Sequence, residues 1–161
     1  MRIAQSLRDH FAAYQLRSKG DFLWRVTLEG LAVSLGVILL LGLAFELPDR
    51  TDLKGVTFTQ LVCLAPLLET LLLQSLPVMV ARAMGLGFRG QLLAAWIPFA
   101  ALHFSAGVDT GICAGIVSGF YIAFTYTHWR QESFGSAYWM TTGTHALHNL
   151  ALVMLIRLGS D

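Results

Sequence analysis

The sequence predicts an all-α membrane protein: about five transmembrane helices behind an N-terminal amphipathic helix lying on the bilayer surface. Composition and apolar patterning carry that expectation. Of the 161 residues 55% are hydrophobic and 13% charged, with a mean hydropathy of +0.61, whereas soluble domains average about 25% charged. The apolar residues also gather into runs of roughly the twenty residues that cross a bilayer as a helix, separated by short stretches of charge, glycine and proline. The length suits one domain, 1–161, with no internal repeat or low-complexity segment. A net charge of +1 argues against a nucleic-acid partner. Cys63 and Cys113 lie in apolar stretches outside any metal-binding spacing and are expected to pack rather than react.

Residues 1–20 set Ile3, Leu7, Phe11 and Tyr14 at helical spacing, with Arg2, Arg8, Arg17 and Lys19 elsewhere around the helix. Such a basic amphipathic segment suits an anionic membrane surface. Its cationic lead is too long for a signal peptide, and the apolar run behind it, 22–47, can span by itself. The transmembrane bundle then covers 22–158. Pro48, Asp49, Arg50 and Asp52 end the first span, and Glu29, near its start, is expected to be an interfacial carboxylate. A second span, 56–85, contains Pro66 and Pro77. Each proline lacks an N–H and so frees a carbonyl four residues earlier, as in the broken helices that line functional cavities. A third span, 90–106, carries Pro98 and His103. Asp109 and Thr110 look like a cap for a fourth span ending near Trp129. Its Gly111, Gly115 and Gly119 recur at intervals of four, a small-residue face for close helix packing. The link 130–136 leads to a fifth span, 137–158.

Five spans place the termini on opposite sides of the membrane. Eight cationic residues, Arg2, Arg8, Arg17, Lys19, Arg25, Arg82, Arg89 and Arg130, fall on one side, and three, Arg50, Lys54 and Arg157, on the other. The positive-inside rule puts the N-terminus in the cytoplasm. Trp24, Trp129 and Trp139 then fall at the cytoplasmic boundary, as an aromatic belt would.

One carboxylate is out of place in this pattern. Glu69 sits within 65–77, APLLETLLLQSLP, a run that is otherwise almost entirely apolar. An ionisable group at such a depth is costly unless it faces protein, water or a partner, and so marks a functional site. Further polar positions recur in later spans: His103, four residues after Phe99, and His145, His148 and Asn149. Residues four apart share a helix face, so Phe99 lies over His103 and His145 over Asn149. A carboxylate and an imidazole can hold a water between them, and the carboxylate can take its proton as the oxygen attacks a carbonyl carbon. A second His and an Asn amide offer donors to the developing oxyanion. Ser105 points to a different face from His103, and nothing marks it as a nucleophile. A zinc or haem site is the competing use of these residues. HExxH is absent and Asn is a poor transition-metal ligand, so no metal or cofactor is expected.

Glu69, then Phe99-xxx-His103, then His145-xxx-Asn149, in that order on successive apolar segments, resembles the CPBP family of glutamic intramembrane proteases, which includes CAAX-processing enzymes and bacterial Abi proteins. The family pattern is EExxxR, FxxxH, HxxxN, and the resemblance covers about 65–150. Here the first motif is ETxxxQ: Thr70 replaces the second Glu and Gln74 the Arg. Being four apart, the two are expected to exchange a neutral hydrogen bond where the common form can make an ion pair. The resemblance implies Glu69 as general base, His103 as its partner on the attacking water, and His145 and Asn149 as oxyanion stabilisers. Thr70, Gln74 and Phe99 would support them, and His148 has no role in the pattern. It further implies a membrane-anchored protein substrate cut in or near a membrane segment, often close to its C-terminus, in the manner of the myxosortase-type branch. The small size points to a bacterial or archaeal enzyme of the inner membrane. A non-catalytic immunity or scaffold relative would keep the same residues as packing hydrogen bonds.

Overall fold

Ser18 opens the first long helix, α1 (Lys19–Ala44), its hydroxyl accepting the Asp21 amide at the N-cap. The computed structural model describes residues 9–14, 18–46 and 57–158, and among these all regular structure is helical. After α1 come α2 (Gln60–Ala83), α3 (Phe88–Phe104), α4 (Val108–Trp129) and α5 (Phe134–Leu158). Of these α1, α2 and α4 are long and apolar enough to cross a membrane. Gly85, with φ of 75°, and Gly107, with φ of 133°, make the turns before α3 and α4, conformations that L side chains avoid. Gly107 is therefore the cap of α4, and Asp109 and Thr110, expected at that position, lie inside its first turn.

Two of the helices are not uniform. Wider π turns occupy Gln60–Leu64 and Thr70–Ser75 in α2 and Gly111–Ser118 in α4. In α2 the Ala65 N–H donates five residues back, to the Gln60 carbonyl. The same register would next pair Leu61 with Pro66, which has no N–H. The Leu61 carbonyl is taken instead by Asn149 Nδ2 of α5, at 2.8 Å. The freed carbonyl that matters thus lies five residues before the proline, not the expected four, because the turn is widened.

The glycine face of α4 packs against α3. A methyl group at Gly115 would stand 3.0 Å from the Ala100 carbonyl oxygen and 3.1 Å from His103 Cβ, and one at Gly119 would meet the Phe99 ring at 2.7 Å. Only glycine allows this approach, and it fixes the height of Phe99 and His103 against α4.

Residues 9–14 lie against α1 and α4. Phe11 packs on the Phe120 and Phe124 rings at 5.4 and 4.9 Å, and Tyr14 on Phe22 at 5.4 Å. Glu29 ties the same residues down: its carboxylate accepts from Tyr14 Oη at 2.7 Å, His10 Nε2 at 2.8 Å and Tyr121 Oη at 2.9 Å. Glu29 is therefore tied to three protein donors while its side chain stays partly exposed. Ile3, Leu7, Arg2, Arg8 and Arg17 of the expected surface helix, and Pro48 with the loop behind it, lie outside the described residues. Of the expected tryptophan belt, Trp24 and Trp139 are exposed, but Trp129 is buried edge-on against Phe22.

The links 84–87 and 130–133 lie at one end of the bundle, where Gly87 and Gln131 line a common cleft of about 610 Å3. Lys19 closes that end by donating to Glu132 Oε1 at 2.6 Å and Ser136 Oγ at 3.0 Å. Lys19 and Ser136 together hold the exposed Glu132 carboxyl below the usual carboxylate range.

Candidate functional site

Glu69 is the last residue of an α-helical stretch, Ala65–Glu69, and the π turn begins at Thr70. Such junctions shift side-chain directions by part of a turn and often mark functional sites. Here α3 and α5 both pack against the widened segment, and the carboxylate faces His145 of α5. Glu69 Oε2 stands 3.8 Å from His145 Nε2. That is too long for a direct hydrogen bond, and Glu69 Oε2 has no other hydrogen-bond partner among the described residues. The carboxylate side chain is 25% exposed, whereas His145 is 5% exposed.

Phe99 joins the imidazoles of α3 and α5. Its ring stacks on His103 with centroids 4.3 Å apart and meets His145 edge-on at 5.5 Å. His103 Nδ1 lies 2.9 Å from the Phe99 carbonyl. A carbonyl only accepts, so Nδ1 carries the proton and, in the neutral form of the ring, Nε2 is the acceptor. His148 is oriented in the same way, Nδ1 donating to the Thr144 carbonyl at 2.9 Å. Its Nε2, however, points into the space left by Gly30 of α1. His148 thus belongs with the Glu29 and Tyr121 contacts. Ser105 donates to the Leu102 carbonyl of its own helix and is exposed.

Phe99 therefore joins His103 to His145, and His145 in turn faces Glu69. Asn149 is adjacent on α5, but one of its amide hydrogens is committed to Leu61, which leaves one for other use. The expected bond between Thr70 and Gln74 is absent: Thr70 Oγ1 and both polar atoms of the Gln74 amide have no hydrogen-bond partner among the described residues. In a π turn residues five apart come into line, and it is Ser75 Oγ that reaches the Thr70 carbonyl, at 3.0 Å. Among the described residues no three His, Cys, Asp or Glu side chains converge as a metal site would require.

No protein-family model, curated protein or solved structure matches the chain. Sequence reasoning passed over Tyr138 and Leu61. Tyr138 Oη donates to the Leu67 carbonyl at 3.2 Å, fixing α5 two residues from Glu69. A tyrosine near the start of a span looks like an interfacial anchor, and nothing local distinguishes it.

Proposed function

We propose that the chain is an intramembrane endopeptidase of the glutamic type, in which Glu69 activates water to cut a membrane-associated, C-terminal segment of a substrate protein. The observation that carries this reading is the placement of the Glu69 carboxylate 3.8 Å from His145 Nε2, beside a widened turn of α2. A water beside that gap can touch both groups and give a hydrogen bond to His103 Nε2. Glu69 takes the water's proton as its oxygen attacks the peptide carbonyl carbon. The oxyanion is held by His145 and by the remaining N–H of Asn149. Collapse of the intermediate breaks the C–N bond, and the departing amine leaves with the proton held by Glu69, which restores the carboxylate. No side-chain nucleophile, metal or cofactor takes part.

The resemblance to the CPBP family, with its variant first motif, is part of this proposal. So are five spans, an N-terminus in the cytoplasm and residence in a prokaryotic inner membrane. Thr70 and Gln74 offer unpaired polar atoms where the family pattern has charges, so substrate preference should differ from that of the charged form. The bond from Asn149 to Leu61 favours a second reading, a non-catalytic relative in which the motif residues only hold helices together.

The test is cleavage of candidate membrane proteins from the same cell by wild type, Glu69→Gln and His103→Ala in bilayers. Removing a general base costs about a hundredfold or more, so Glu69→Gln should fold normally and lose cleavage by at least that factor. Equal cleavage by both variants and wild type would sink the proposal.

A further inference from the structure

Beyond the site itself, the interfaces of α2, α4 and α5 bury a series of polar atoms that no protein group satisfies. Thr70 Oγ1, both polar atoms of Gln74, Tyr126 Oη, Thr141 Oγ1 and His145 Nδ1 are enclosed and have no hydrogen-bond partner among the described residues. Thr70, Gln74, Tyr126 and Thr141 are each fully buried. Folded proteins leave few such groups unpaired, because each forfeits its hydration and gains nothing. Buried threonines can satisfy their hydroxyls by bonding back to the carbonyl four residues earlier. Thr125 and Thr144 do so, at 2.8 and 3.0 Å. Thr70 and Thr141 do not, and so keep their hydroxyls for another partner.

These atoms lie at successive heights along the bundle. At about 1.5 Å per residue, Glu69 and His145 lie roughly 20 and 16 Å from the end of the bundle formed by 84–87 and 130–133, and Gln74 and Thr141 roughly 13 and 10 Å. Tyr126 is nearer still, facing Ser75 and the Arg130 guanidinium without a well-formed hydrogen bond to either. The series mixes an acceptor-only carboxylate, a donor-only amide nitrogen and hydroxyls that can do both. Water is the small molecule that suits all of them.

We propose that this seam is hydrated, holding a file of internal waters that runs from the 84–87 and 130–133 end to Glu69. The inference rests on Glu69 as a water-activating site, and it supplies what that site consumes: a route for water that does not cross the lipid-facing surface. Thr70, Gln74, Tyr126 and Thr141 are the residues that bind it.

The test is magnetisation transfer from bulk water to labelled threonine and alanine methyl groups in nanodisc-embedded protein. Transfer at Thr70 and Thr141 should approach that of exposed Thr57 and exceed that of Ala95 and Ala123, which are fully buried in the apolar core. The near-isosteric pair Gln74→Leu and Thr141→Val should remove the transfer at Thr70 while the Ala95 and Ala123 signals stay unchanged. If Thr70 and Thr141 are as silent as Ala95 in the wild type, the seam is dry and the proposal is overturned. Water contact with no proteolysis would overturn the proposed function and leave the seam standing. Proteolysis with a silent seam would do the reverse.

Discussion

Replacing Asn149 with alanine removes the 2.8 Å bond to the Leu61 carbonyl and strands an acceptor that its own helix cannot serve. The cost follows from how the carbonyl came to be free. In the π register Leu61 would pair with residue 66, and proline has no hydrogen to give. An unmade bond of a buried group costs about 1–3 kcal/mol in water-soluble proteins. Interhelical bonds in membranes average about 0.6 and reach about 1.7 kcal/mol. Asn149→Ala should therefore lower stability by about 1–2 kcal/mol. In a Pro66→Ala background the new N–H can serve Leu61, and the same substitution should cost less than about 0.5 kcal/mol, a coupling of about 1 kcal/mol. The assay is reversible unfolding in mixed micelles titrated with sodium dodecyl sulfate, followed by tryptophan fluorescence. Neighbours that act independently add within about 0.5 kcal/mol. If Asn149→Ala costs as much in the Pro66→Ala background as in the wild type, the explanation of the Leu61 bond is refuted.

Other outcomes can be read from the same unfolding assay. A methyl group at Gly30 would stand 2.6 Å from His148 Nε2, a rigid ring atom, and one at Gly115 3.0 Å from the Ala100 backbone. Gly30→Ala and Gly115→Ala should each cost about 1–3 kcal/mol through overpacking. Gly36, mid-helix with nothing within 4 Å of an added methyl, should tolerate alanine or gain up to about 1 kcal/mol. Glu132 is held below the usual carboxylate range by Lys19 and Ser136, so its contribution is present above the ordinary carboxylate pKa and is lost as pH falls. Melting curves of wild type and Glu132→Gln should differ slightly near neutral pH, less in high salt, and converge below about pH 4. A difference that grows on acidification would reverse the assignment.

Part of the geometry around Glu69 was legible in the sequence because helix periodicity and cost point the same way. A carboxylate in an apolar run needs a partner, and Phe99 with His103 shares a helix face at any ordinary pitch. The stacking of Phe99 on His103 occurs where that spacing puts it. The widened turns were not legible, since apolar residues on every side carry no period from which a change of pitch could be read. That single omission accounts for two errors: the freed carbonyl is Leu61, and Thr70 does not meet Gln74. The partners of Glu29 were not legible for another reason. Its donors lie 15, 19 and 92 residues away, beyond any local pattern. The cap at Gly107 was missed because Asp109 and Thr110 have the right chemistry but lie within the first turn instead of before it.

The Glu29 contacts also bear on how the chain enters the membrane. α1 leaves the ribosome carrying a carboxylate whose donor on α4, Tyr121, is made 92 residues later. Until then Glu29 can draw only on residues 9–14, which precede it. Stable release of α1 into lipid therefore waits for α4, and the first helix should remain beside the insertion machinery until α4 has been made. Tyr121→Phe should prolong that stay. A truncated chain ending before Tyr121 should be degraded faster than one ending after it, although α1 is complete in both.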